Sequence, residues 1–424
     1  MNFLDKISRN SFFKNVSTLA IGTVVSQIIV IGFSPLLTRI YTVESFGVLA
    51  LFTSFTVIFG VITTGRYELS IGLPLDQEKA KNLVKLISIT GFVISILYLF
   101  IIIIIKETHT LITLFPIFSK KWIYLAPVYT FFIALYSALI YWNQRNKNYK
   151  KITLSNALQV ISATIFSIIF GLLGIIEIGM IISLILGIIC STFFLIKNAT
   201  KDDCIFEFDA IKNVAKEYIS FPKFMILSDL SLTISQQYIP IIFAELFNAT
   251  IVGYFALANR MIRLPNIVLT SSVANVFRND AIDSIRNKGN CQQLYISTIK
   301  KLIYISLPIF ILIFIFSPFL FTIFFGKKWE VAGNFARILS VMLLFEFVAI
   351  PLNSLFYIFE RQKKLMNLQI LNTIFGFLSI YIGFKFYNNS SVSLLLFCLN
   401  SIIFNLIFIF FTYNFSKQIK HNVV

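Results

Sequence analysis

Five basic residues of this 424-residue chain stand inside hydrophobic stretches long enough to cross a membrane: Arg66, Lys223, Arg260, Arg263 and Arg337. A cation in hydrocarbon costs roughly 3 kcal/mol or more unless it faces a wet cavity or a partner, so such residues point to function. Their chemistry is electrostatic. Arginine stays charged and forks onto oxyanions, whereas a buried lysine can lose its proton. Lysine outnumbers arginine more than two to one in this chain, so arginine at embedded positions stands out against the composition. The expectation is a membrane protein with a positively charged interior and an anionic cargo.

Acids and amides accompany these cations. In Gly65-Arg66-Tyr67-Glu68, Arg66 either faces a cavity with Glu68 beside it, or both residues snorkel at the interface. Arg260 and Arg263 are three apart and so share a helix face, with Pro265 following. Lys223 follows Pro222, and Asp229, Gln236, Gln237 and Pro240 come after it. Asp229 is either a proton or cation site or the partner of Lys223, although a spacing of six makes that pair awkward. Gln27 and Gln236 suit sugar hydroxyls or phosphate oxygens, and equally suit hydrogen bonds between helices. Asn259, next to Arg260, is a further candidate for a polar cavity wall. Glu346 and Arg337, nine apart, read as structural ions inside one lobe.

No nucleophile motif, HExxH, P-loop or Rossmann glycine pattern occurs. Cys190 and Cys398 lie in apolar stretches, and Cys204 and Cys291 in basic loops, with no spacing that suggests zinc or a disulfide framework. His109 and His421 are too few and too far apart for a metal site. No catalytic group, metal or cofactor is expected.

The elements that position these residues are helices. The chain is 57% hydrophobic and 13% charged, against about 25% charged in soluble proteins. Apolar runs near the ~20 residues that a bilayer demands recur from end to end. Twelve spans are expected, at 16–38, 46–71, 83–105, 122–142, 152–173, 177–196, 219–244, 250–275, 302–325, 335–359, 366–387 and 392–413. The fold class is therefore an all-α polytopic membrane protein. Segment 2–14 reads as a short amphipathic surface helix, and the basic, polar N-terminus followed by a full span argues against a cleavable signal peptide. The polar stretches 197–217 and 278–301 read as loops. Pro35, Pro240, Pro265, Pro308 and Pro351 are expected to kink their helices.

Charge fixes orientation. One side collects Lys79, Lys81, Lys85, Arg145, Lys147, Lys150, Lys151, Arg278, Arg286, Lys288, Lys300, Lys301, Arg361, Lys363 and Lys364, with further lysines around both termini and 197–217. The other side has far fewer, among them Arg39, Lys106, Lys120, Lys121, Lys327, Lys328 and Lys385. By the positive-inside rule the first side, with both termini, is cytoplasmic. The net charge of +17 is therefore read as a topology signal and not as a nucleic-acid footprint.

The two halves resemble each other. Tyr141, Arg145 and Asn156 recur as Tyr357, Arg361 and Asn372, each 216 residues on. Ser26-Gln27 matches Ser235-Gln236, and Phe46-Gly47-Val48-Leu49-Ala50-Leu51 matches Val252-Gly253-Tyr254-Phe255-Ala256-Leu257. Six helices per repeat is an even number, which makes the repeat parallel, with a cargo path expected between lobes. The domains expected are a first six-helix lobe over 1–196, a cytoplasmic linker over 197–217 and a second lobe over 218–424.

The chain resembles the O-antigen and capsule flippases, the Wzx-type polysaccharide transporters of the multidrug/oligosaccharidyl-lipid/polysaccharide superfamily. The residues that carry this are Leu36-Leu37-Thr38-Arg39-Ile40-Tyr41, Glu44-Ser45-Phe46-Gly47, and Arg66 to Pro74 in the first half. In the second half they are Gly253 to Arg260, Pro265, Phe325-Gly326-Lys327-Lys328-Trp329 and Ala332-Gly333. The resemblance implies two six-helix lobes around a central cavity in a bacterial inner membrane. It implies a cargo, an oligosaccharide repeat unit on undecaprenyl pyrophosphate, moved from the cytoplasmic to the outer leaflet for O-antigen, capsule or exopolysaccharide synthesis. It implies alternating access driven by a proton or sodium ion, with Asp229, Glu68 and Glu346 as coupling candidates. Arg66, Lys223, Arg260 and Arg263 would hold the anionic cargo, with Gln27, Gln236 and Asn259 as polar cavity residues. Membrane lipids, a polysaccharide polymerase and a chain-length regulator are the partners implied, with no nucleic acid. The alternatives are an exporter of another lipid-linked or drug cargo on the same fold, or a membrane polysaccharide polymerase or ligase. The latter would need a catalytic external loop, and 106–121 has no cluster of acid and base groups.

Overall fold

The computed structural model describes residues 22, 24–108, 120–197 and 207–419. The expected surface helix over 2–14, His109, Cys204 and His421 lie outside the described residues, as does much of 197–217. Among the described residues the chain is helical throughout, with no strand. Nine helices among the described residues are long and apolar enough to cross a membrane, so this is an all-α, multi-pass membrane protein.

Every expected span holds a helix. The first unit contains α1 (24–40), α2 (Val43–Thr63), α3 (Gln77–Glu107), α4 (Ala126–Arg145), α5 (Tyr149–Leu172), α6 (Gly179–Lys197) and the short α7 (Phe208–Glu217). Then come α8 (Ile226–Leu246), α9 (Ala249–Ile262), α10 (Ser271–Lys288), α11 (Gln292–Phe325), α12 (Glu330–Leu352), α13 (Ser354–Ile358), α14 (Gln362–Tyr387) and α15 (Ser390–Lys417). Two compact units divide at Tyr238, within α8.

Three expectations are corrected. The span expected over 46–71 stops at Thr63, because Gly65 and Arg66 take left-handed conformations (φ 59° and 58°) that no α-helix continues through. The loop expected over 278–301 is mostly helix: α10 runs to Lys288, Gly289 turns with φ 76°, and α11 starts at Gln292. The pattern Phe277, Ala281, Ile285 explains this, because residues four apart line one face and all three are buried. The span expected over 250–275 is interrupted. Pro265 cannot donate a backbone hydrogen bond, and Asn266–Thr270 form a π-turn before α10 begins.

Small residues set the packing within each unit. A Cβ on Gly187 of α6 would stand 2.8 Å from the Gln159 carbonyl oxygen of α5. In the second unit a Cβ on Gly333 of α12 would stand 2.6 Å from Pro318 Cα of α11. Membrane helices gain stability from such close approach, since lipid supplies no hydrophobic drive between them. The most buried long helix is α12, which packs on α9, α11 and α15 and carries fully buried Phe335, Ala336, Leu343 and Leu352.

Candidate functional site

In the first unit the end of α2 builds a charged turn. Thr64 closes the helix, Gly65 and Arg66 reverse the chain, and Tyr67–Ser70 form one 3₁₀ turn. Two neighbours and one internal bond pin this turn. Tyr67 Oη donates to the Ala215 carbonyl of α7 at 3.2 Å, Ser70 Oγ donates to the Tyr67 carbonyl, and Arg145 Nη1 of α4 donates to the Ile71 carbonyl at 3.1 Å. Beneath it Tyr67 and Ile71 join a core with Leu83 and Ile87 of α3, Ala138 and Trp142 of α4, and Ile211 and Val214 of α7.

Arg66 is thereby aimed at two carboxylates. Its Nη1 donates to Glu68 Oε1 at 3.1 Å, and its Nε stands 2.7 Å from Asp229 Oδ2 of α8, a charge contact off the N–H direction. Glu68 is 2% exposed, and its second oxygen has no hydrogen-bond partner among the described residues. Asp229 thus pairs with Arg66 and not with Lys223. Lys223 sits in a π-turn, Phe221–Met225, just after Pro222, exposed and 5.4 Å from the centroid of the Phe224 ring. That turn packs on the 3₁₀ turn that carries Glu68. Gln27 is half-buried on α1 and Gln236 is exposed on α8. The neighbouring Gln237 does the bonding, accepting from Ser54 Oγ of α2 at 3.1 Å.

In the second unit Arg263 caps the C-terminus of α9, just before Pro265. Its Nε donates to Asn259 Oδ1 at 2.6 Å and its Nη1 to Glu346 Oε1 of α12 at 2.7 Å. Glu346 is not joined to Arg337. Arg337 instead donates from Nε to the Phe314 carbonyl of α11 at 3.1 Å and lies over the Phe314 ring. Arg260, one turn before Arg263, is exposed and has no ion pair or hydrogen bond among the described residues.

The structure therefore gathers the candidates into two clusters, Arg66–Glu68–Asp229 and Asn259–Arg263–Glu346, and leaves Lys223 and Arg260 without an ion pair among the described residues. Sequence reasoning missed Arg145, which clamps the Ile71–Leu75 segment through two carbonyls, and the bond between Ser54 and Gln237. The adjacent pair Gln236-Gln237 was the available signal, but the face could not be read from it.

A family profile described as "Polysaccharide biosynthesis protein" matches residues 36–334. No curated protein matches the chain in sequence. Among solved structures the fold is similar to the lipid II flippase MurJ in an inward closed conformation. That match has a TM-score of 0.71 and 16% identity, covering 93% of this chain and 87% of that chain. It is also similar to an inward-facing multidrug resistance MATE family transporter of the MOP superfamily, with a TM-score of 0.60 and 16% identity over 93% of each chain. A MOP superfamily transporter from Pyrococcus furiosus, described as having a binding pocket of reverse polarity, matches with a TM-score of 0.50 and 15% identity over 95% of this chain and 92% of that one. The profile covers most of the chain and the helical plan agrees with these folds, so the chain belongs to the polysaccharide biosynthesis protein family, built on the fold of the MOP superfamily.

Proposed function

We propose that this protein is a flippase for oligosaccharide repeat units linked to undecaprenyl pyrophosphate, moving them from the cytoplasmic to the outer leaflet. The observation that carries this is Arg260, a guanidinium on a membrane helix with no acid beside it among the described residues. An embedded cation without a protein counter-ion is costly unless an anion arrives to meet it. A pyrophosphate supplies two phosphates in a geometry suited to guanidinium forks. Family membership supports a polysaccharide precursor as the cargo, and the MurJ likeness shows that the fold accommodates a lipid-linked flippase.

Arg66 and Arg263 play a second part in this reading. Both are neutralised by carboxylates of their own unit, so a cargo phosphate must compete with Glu68, Asp229 or Glu346 for the same guanidinium. Binding of a proton or sodium ion at those acids would release an arginine to the cargo. Ion uptake and cargo binding are then linked through shared cations. Lys223, Gln27, Gln236 and Asn259 are assigned to the polar path that the glycan follows. The membrane is the bacterial inner membrane, with both termini in the cytoplasm, and a polymerase and chain-length regulator act on the delivered units. The domain plan proposed with it is two six-helix lobes joined by the 197–217 segment.

The experiment is leaflet-specific labelling of lipid-linked oligosaccharide in inverted vesicles. Wild-type protein should translocate the lipid under an imposed proton or sodium gradient, and Arg260→Ala should lower the rate at least ten-fold, the effect of about 1.4 kcal/mol in the rate-limiting barrier. Translocation that survives Arg260→Ala removes the residue from the path. No protein-dependent movement under either gradient removes the cargo assignment.

A further inference from the structure

We infer that a groove on the second unit, between α11 and α15, binds an anionic phospholipid of the cytoplasmic leaflet. One acyl chain lies along the groove and the phosphate rests on Lys300. The groove is a cavity of about 330 Å³. From α11 it is lined by Ile296, Ile299 and Lys300, and from α15 by Leu406, Phe410 and Tyr413. The α15 residues recur at helical spacing and form one stripe, with Leu406 and Phe410 exposed toward the membrane.

The floor of the groove is rigid. Tyr295 is fully buried, its hydroxyl donates to the Ile409 carbonyl at 2.8 Å, and Thr412 Oγ1 lies a further 2.8 Å contact away. The Cys291 backbone N–H donates to the Ser416 carbonyl at 3.2 Å, tying the two helix ends together below it. Apart from Lys300 and the Tyr413 ring with its hydroxyl, the lining side chains facing the groove are aliphatic or aromatic, so the occupant in a bilayer is a hydrocarbon chain. A wall held this way costs little ordering when the chain enters.

Charge selects the headgroup. Among the described residues Lys300 is the one charged side chain in the lining, and no carboxylate lines the groove. One turn beyond Tyr413, Lys417 holds its ammonium 4.0 Å from the centroid of that ring. Lys417 is the last residue of α15 and Lys300 lies about two turns into α11, on the side that the charge asymmetry assigns to the cytoplasm, where anionic headgroups attract juxtamembrane lysines. A zwitterionic headgroup would bring its own cation against them. The lining shares no residue with either arginine cluster, and its occupancy does not depend on the cargo proposed above.

The test uses the full-length protein in detergent, titrated with phosphatidylglycerol or phosphatidylcholine of identical chains, with bound lipid counted by native mass spectrometry. Phosphatidylglycerol should be retained in preference. Lys300→Gln should reduce that preference about five-fold, the value of one lysine at a charged membrane surface, and Lys417→Gln should reduce it less. Leu406→Trp, which fills the groove, should lower retention of both lipids. Equal retention of the two lipids by the wild-type protein overturns the proposal, as does a preference that survives both lysine variants. Both lysines are exposed, so neither change removes packing on which folding depends.

Discussion

Arg66 and Arg263 occupy matching circumstances in the two units, and their differences show how each is used. Each stands where a helix is broken, Arg66 after the left-handed Gly65 and Arg263 just before Pro265. Each reaches a carboxylate on another helix of its own unit at 2.7 Å. The breaks matter because a guanidinium at a helix end can turn away from the helix axis, while one in mid-helix is confined to a single face. Arg66, however, is shared between two acids, one of them almost wholly buried, whereas Arg263 has one acid and a neutral amide from its own helix. The first cluster carries formal charge −1 and the second carries none. In the proposed cycle the first would take up a cation, and the second would exchange one anion for another.

The sharpest way to break this comparison is to remove the arginines in turn and follow thermal unfolding of the full-length protein. Arg66→Ala strands the buried Glu68 and the half-buried Asp229, and should cost about 3–5 kcal/mol, as for a buried pair that loses one partner. Arg66→Gly should cost about 1 kcal/mol less than Arg66→Ala, because glycine adopts φ 58° freely and alanine does not. Arg263→Ala strands only Glu346, which is 18% exposed, and should cost about 2 kcal/mol. If Arg263→Ala proves the more destabilising, the two clusters do not differ as described. A double-mutant cycle on Arg263 and Glu346 should then return a coupling of about 1–2 kcal/mol.

Much of this plan was legible in the sequence, and the unread parts have physical causes. The helical, multi-span plan is legible from apolar run length and loop charge, both strong over long stretches, although nine helices among the described residues qualify as spans against the twelve expected. The identities of the polar residues were equally plain: Arg66, Glu68, Asp229, Asn259, Arg263 and Glu346 all carry contacts in the structure. Their pairing was not plain. The sequence brings Asp229 near Lys223 and Glu346 near Arg337, but in the fold each acid reaches an arginine of another segment, because the breaks at Gly65 and Pro265 redirect the chain. Glycine and proline announced the breaks without giving their direction. Among the described residues α8 is long enough for a span but falls short of its apolarity, and it carries Asp229 and Gln236.

Asp229→Asn sharpens the comparison at lower energy. The carboxylate and its partner are each about one quarter exposed, so solvent screens the pair and the loss should be about 1 kcal/mol. The smallest effect belongs to Lys223. It shares the neighbourhood of the first cluster through the π-turn that packs on Tyr67–Ser70, yet it is exposed, and its ammonium meets the Phe224 ring instead of a carboxylate. Lys223→Gln should therefore leave the unfolding midpoint within about 0.5 kcal/mol of the wild type, while slowing translocation if Lys223 serves the cargo path. A destabilisation near that of Asp229→Asn would place Lys223 within the ion-pair network, and the first cluster would then be neutral like the second.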